Sequence, residues 1–253
     1  MIHFIGAGPG AADLITIRGA ELLQKAGIIV YAGSLVNTEL VRKYARQDCR
    51  LYDSSSMTLD EIINILADGH SQGILTVRLH SGDPAMFGAV REQFEALRER
   101  GIPFEVVPGV SSLFGASAAL QTEFMIPDSA QSLIITRLDG RTRVPERESL
   151  RSLASHRASI AVFLSAGMTG RVCSELIAGG YPPTTPAAVV YRATWPDERV
   201  ITGTLETLPA LAQGITKTAI ILAGDFLNDS THAASRLYDK TFSHEYRDSC
   251  LHE

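Results

Sequence analysis

The chain has 253 residues, 45% hydrophobic and 20% charged, the composition of a soluble globular protein long enough to bury a core without disulfides or metals. Its net charge of −5 argues against non-specific binding to a nucleic-acid backbone, and no apolar run reaches the roughly 20 residues of a membrane span. IHFIG leads straight into a strand pattern without a basic start, and Cys49, Cys173 and Cys250 have no metal-ligand spacing, so a reducing, cytoplasmic setting is expected.

In chain order, MIHFIG reads as an apolar strand and the residues near Leu14–Ala26 as a helix. GIIVYAG is the next strand, followed by a helix from about Ser34 to Ala45. Thr58 and Glu61 have capping-box spacing and open a third helix. GILTVRLH reads as a buried strand. Asp83 and Pro84 then read as a helix start, with Phe87, Val90, Phe94 and Leu97 as its apolar face. FEVVPG is the last strand before the small-residue stretch GASAALQTEF. Alternation of this kind predicts a mostly parallel sheet with flanking helices.

Beyond that stretch, SLIITR, SIAVFLS, AAVVYRAT, RVITGTL and KTAIILAG read as strands. Helices are expected near Val144–Leu153, Thr169–Ala178 and Leu205–Gln213. The polar turn WPDE between two strands suggests a hairpin, hence a mixed sheet. The expected architecture is therefore two α/β domains, 1–120 and 121–253.

HFIGAGPGAADLIT satisfies the loose dinucleotide fingerprint through Gly6, Gly8 and Ala11. Two features count against that chemistry. Pro9 removes one backbone N–H from the loop, and no acid ends the second strand to hold a ribose. A tight structural turn, or the lip of another kind of pocket, remains open. Two further strand ends attract attention, because ligands of open α/β sheets collect outside the carboxyl ends of strands. One carries His80, Ser81, Gly82 and Asp83, where Asp83 could cap a helix or face a ligand. The other carries Pro108, Gly109, Ser111 and Ser112. Arg137, Arg141 and Arg143 lie on a turn with Asp139 and Gly140. They suit an acidic small ligand as well as a solvated surface. No metal or covalent-nucleophile signature is present.

Taken jointly, GAGPGAADLIT, HSGDPAMFGA, VVPGVSS and KTAIILAG resemble, in order and spacing, the motif regions of the tetrapyrrole (class III) S-adenosylmethionine-dependent methyltransferases. YAGSLV, IPDSAQSLIITRLDGRTRVPE, YRATWPDE and RLYDKTFSHEYR narrow the resemblance. They point to the branch methylating precorrin-4 or cobalt-precorrin-4 at C-11 in cobalamin biosynthesis. The resemblance implies a homodimer of two-domain subunits, with S-adenosyl-L-methionine (product S-adenosyl-L-homocysteine) in a cleft between the domains. It implies cofactor contacts from Pro9, Ser81, Gly82, Asp83, Met86, Ser111, Ser112, Leu164, Ala193 and Ala219. Leu164 stands where relatives often carry Met. Pro9 would also face the acidic tetrapyrrole, with His80, Arg137, Arg141 and Arg143 as further substrate contacts. Asp83 is the candidate catalytic carboxylate for the proton that the methylated ring must lose or shift. The alternatives are methylation at another ring position, methylation of ribosomal RNA, a nicotinamide oxidoreductase and a non-catalytic tetrapyrrole carrier. The acidic balance disfavours RNA, and neither nucleic acid nor membrane is an expected partner.

Overall fold

The computed structural model describes residues 1–140, 142–228 and 235–248, in two units. The first unit comprises Met1–Ala119 and the distant segment Arg192–Arg199. Its strands are β1 (Ile2–Gly6), β2 (Ile28–Tyr31), β3 (Arg50–Asp53), β4 (Thr76–His80) and β5 (Phe104–Val107). They form one parallel sheet in the order β3-β2-β4-β1-β5. That order differs from the dinucleotide-binding arrangement, in which the first strand adjoins the second. Ile2 and Phe4 pack with Ile62, Leu66 and Leu97 on one face, and Ile5 packs with Leu23, Leu40 and Leu79 on the other. Successive side chains of a strand point to opposite faces, so a strand covered on both sides is apolar throughout.

The helices of this unit are α1 (Ile17–Lys25), α2 (Thr38–Tyr44), α3 (Leu59–Ser71), α4 (Arg91–Glu99) and α5 (Ser112–Leu120). The Thr58–Glu61 capping box forms reciprocally, with Glu61 accepting from Thr58 N at 2.7 Å and Thr58 Oγ1 accepting from Glu61 N at 3.3 Å. The helix expected from Asp83 does not start there. Phe87 and Ala89 take left-handed backbone conformations (φ 54° and 47°), which no right-handed helix accommodates, so α4 waits until Arg91. Phe94 and Leu97 keep their expected packing on Ile2 and Phe4, whereas Phe87 is 43% exposed. The helix expected from Ser34 likewise starts later, at Thr38, with Asn37 as its cap.

The second unit has β6 (Leu133–Arg137), α6 (Leu150–Ala154), β7 (Ser159–Phe163), α7 (Thr169–Ala178), β8 (Pro186–Tyr191), β9 (Arg199–Thr204), α8 (Leu208–Leu211) and β10 (Ala219–Ala223). Its sheet has the order β6-β7-β10-β8-β9 and is mixed as expected: β6 and β7 are parallel, and β10 is antiparallel to both neighbours. Ile160, Val162, Val189 and Ile221 pack on one face against Val172 and Leu176 of α7 and Leu208 of α8. Among the described residues, no helix is long and apolar enough to cross a membrane.

Candidate active site

The first unit's parallel strands all end at one edge, and three of the loops there meet backbone to backbone. Gly8 and Gly82 exchange hydrogen bonds (Gly8 N to Gly82 O, 3.2 Å; Gly82 N to Gly8 O, 2.9 Å), and Ala7 N donates to His80 O at 2.7 Å. A Cβ on Gly6 would lie 2.5 Å from Gly82 O and 2.6 Å from Gly109 Cα. Only glycine permits that crossing of the β1, β4 and β5 loops. Gly82 also needs its φ of 59°, a left-handed conformation.

The fingerprint loop is built for shape rather than for an anion. Ala7 and Gly8 spend their N–H groups on the β4 loop, and Pro9 has none. Ala11 N donates to Thr194 Oγ1 at 2.9 Å. Pro9 and Gly10 are buried, with Trp195 Nε1 donating to Pro9 O at 3.2 Å and Asn37 Nδ2 to Gly10 O at 3.1 Å. A short 3₁₀ turn, Ala12–Leu14, separates the loop from α1, so no α-helix begins where a pyrophosphate would sit. Neither Thr194, Trp195 nor Asn37 stands out in the sequence as a site residue. WPDE reads as a turn and as part of the YRATWPDE resemblance, and neither reveals its contact with Pro9, 186 residues away.

Asp83 is a junction. Its Oδ1 accepts from Ala85 N and its Oδ2 from Gly109 N, both at 2.8 Å, tying the β4 loop to the β5 loop. Each oxygen retains a lone pair. Ser111 is buried and caps the adjoining helix through Leu113 N at 3.3 Å, while Ser81, Ser112 and Met86 are half-buried. His80 differs from expectation as a substrate contact. It is buried, stacked on Phe4 with centroids 6.0 Å apart, and its Nε2 has no partner among the described residues. Burial, reinforced by the nearby Arg78 charge, pushes its pKa down to about 3, so it is neutral near pH 7.

In the second unit, Leu164 follows β7 with φ 55° and is 68% exposed. Ala219 opens β10 opposite Tyr191 at the end of β8, whereas Ala193 is buried in the distant segment that belongs to the first unit. Arg137, which suits an acidic ligand or a solvated surface by sequence, is half-buried. Its guanidinium donates to Thr142 O at 3.0 Å and Arg143 O at 2.8 Å, closing its own turn. Arg143 is exposed, and Arg141 and Cys250 lie outside the described residues.

The family model for tetrapyrrole (corrin/porphyrin) methylases matches residues 1–209. The chain belongs to the tetrapyrrole methylases. It is 48% identical to the cobalt-precorrin-4 C(11)-methyltransferase of Methanocaldococcus jannaschii over 250 residues, covering 98% of this chain and 96% of that one. The solved structure of a cobalt precorrin-4 methyltransferase, a cobalamin biosynthetic enzyme, superimposes with a TM-score of 0.87 at 44% identity, over 90% of this chain and 95% of that one. A uroporphyrin-III C-methyltransferase from Thermus thermophilus, solved with S-adenosylhomocysteine, gives a TM-score of 0.74 at 26% identity, over 90% and 93% of the two chains.

Proposed function

We propose that the chain transfers a methyl group from S-adenosyl-L-methionine to C-11 of precorrin-4, metal-free or as its cobalt complex, in cobalamin biosynthesis. The observation that carries this reading is the full-length similarity to a cobalt-precorrin-4 C(11)-methyltransferase. The strand-end residues suit such a cofactor. Asp83 offers a half-buried carboxylate with free lone pairs toward a cationic ligand, and the half-buried Ser81 and Ser112 carry small side chains that leave room at the same strand ends. Met86, half-buried on the same loop as Asp83, offers apolar surface. When bound, the cofactor supplies an electrophilic methyl group on a sulfonium. The chain's own task is to position: Pro9 and Gly10, fixed by Trp195 and Asn37, form a wall, and the glycine crossing holds the loops in register. The exposed Arg143 suits the substrate's carboxylates.

We assign to Asp83 the transfer of the ring proton, because two N–H groups already set the orientation of its carboxylate. The family resemblance supports a homodimer, and composition supports a cytoplasmic setting. Light scattering should then report twice the 27.3 kDa of one chain. The deciding experiment is incubation with precorrin-4 and with its cobalt form, following a labelled methyl group into the product. Label at C-11 is expected; label at another ring carbon would replace the reading by a different tetrapyrrole methylation. Calorimetry should show binding of S-adenosylhomocysteine and none of NAD.

A further inference from the structure

Arg78 stands on β4 two residues before His80 and is 5% exposed, yet no carboxylate pairs with it among the described residues. Burial alone lowers its pKa to about 10, which leaves it charged near neutrality. A buried cation without a counter-ion is costly unless its donors are well used. Arg78 Nη1 donates to Val30 O at 3.2 Å, and Nε donates to Gln93 Oε1 at 3.1 Å. Gln93, 4% exposed on α4, turns its amide so that Nε2 donates to Ala89 O at 2.9 Å. The chain Arg78–Gln93–Ala89 thus ends on the β4–α4 loop at its most strained point. Phe87 and Ala89 are left-handed there, and a Cβ on the intervening Gly88 would strike Pro84 O. Such strain persists only where surrounding structure over-determines it, and it clusters at functional sites.

The loop has two separate anchors. Asp83 fixes its beginning through Ala85 N and Gly109 N, while Gln93 fixes its end. Between them Phe87, a flat aromatic ring, is held partly open to solvent. We infer that Arg78 and Gln93 are positioning residues for the tetrapyrrole, acting through Ala89 to hold Phe87 where the macrocycle lies, and that they do not serve the cofactor. This inference rests on the function proposed above.

Gln93→Glu separates the two halves of the relay. Its carboxylate still accepts from Arg78 but cannot donate to Ala89 O. In the full-length protein, this variant should keep its melting temperature and bind S-adenosylhomocysteine within about threefold of the parent. KM for cobalt-precorrin-4 should rise about tenfold, and the amides of residues 87–90 should exchange hydrogen faster while Met86 N, bonded to Asp83 O at 3.1 Å, does not. Phe87→Ala should raise KM similarly, and the double variant should be no worse than either single one. Gln93→Met, which loses both bonds, should show the same KM together with a lower melting temperature. If Gln93→Glu does not fold, Arg78→Lys makes the comparison, because an ammonium cannot reproduce the planar reach to both Val30 and Gln93. An unchanged KM, a KM effect additive with Phe87→Ala, or a parallel loss of cofactor affinity would overturn the inference. A parent protein that binds S-adenosylhomocysteine but leaves cobalt-precorrin-4 unmethylated would count against the proposed function. The loop's hydrogen exchange would then decide the relay by itself.

Discussion

Gly109 and Gly82 lie at the same crossing but should respond differently to a methyl group. A Cβ on Gly109 would sit 2.7 Å from Gly6 Cα and closer still to Gly82 O, and backbone atoms cannot step aside. Gly109→Ala should therefore cost the first unit about 3 kcal/mol or more, seen as a large fall in its denaturation midpoint. At Gly82 the nearest atom would be 3.4 Å away, and the strain is the φ of 59° alone. Gly82→Ala should cost only about 1–2 kcal/mol and leave a folded protein. Asp83 gives a second test at this scale. Asn at this position presents one oxygen where two N–H groups need acceptors, so either Ala85 N or Gly109 N loses its partner. Hydrogen bonds to a charged group contribute about 1.5–3 kcal/mol. Asp83→Asn should thus weaken S-adenosylhomocysteine binding by about 10- to 100-fold in calorimetry, whatever the carboxylate does with a proton. Turnover must accordingly be compared at saturating cofactor before any loss is assigned to proton transfer.

At the scale of elements, the segment Arg192–Arg199 acts as a clasp on the Gly8–Ala11 loop. Arg192 and Thr194 both have positive φ (48° and 67°), which is unusual for a β-branched residue such as Thr194. The strain puts the Thr194 hydroxyl on Ala11 N and the Trp195 indole on Pro9 O. Thr194→Val keeps the shape and removes the acceptor. It should destabilise the first unit by about 1–2 kcal/mol and weaken S-adenosylhomocysteine binding, while Thr194→Ser restores both in the same melting and calorimetry assays. Elements governed by local rules were legible in the sequence. The Thr58–Glu61 box, the apolar strand β1 and α7 need only nearby residues. The start of α4 was not, because Asp83-Pro84 is a helix-opening pattern whose carboxylate here goes to Gly109, 26 positions away. The clasp was hidden for the same reason, since a turn in the sequence does not reveal what it closes upon. Among the proposed site residues, the glycines and Asp83 stood out by residue type. Arg78 and Gln93 looked like ordinary polar residues of a strand and a helix.

On the scale of the whole molecule, the two units should differ in their response to acid. His3 and His80, the described histidines whose titration burial pushes down, both belong to the first unit. For His80 the folded value is about 3, against an ordinary value of 6.5. Between these limits the unfolded chain binds a proton that the folded unit refuses. Stability therefore rises with pH across this window, and it is lost as pH falls below about 6.5. One proton corresponds to about 1.4 kcal/mol per pH unit. His3 adds in the same direction, because its desolvation outweighs the pull of Glu105, 3.3 Å from Nδ1. Denaturant titrations from pH 7.5 to 5, with probes in each unit, should show the first unit weakening before the second. His80→Phe retains an aromatic ring against Phe4 and has no proton to accept, so it should remove most of that slope. The variant's stability would then overtake the parent's on the acid side while S-adenosylhomocysteine affinity at pH 7 stays near that of the parent. A slope that survives the replacement would assign the acid sensitivity to other groups and have His80 take its proton near 6.5 in the folded unit as in the unfolded chain, which its buried, unpartnered Nε2 argues against.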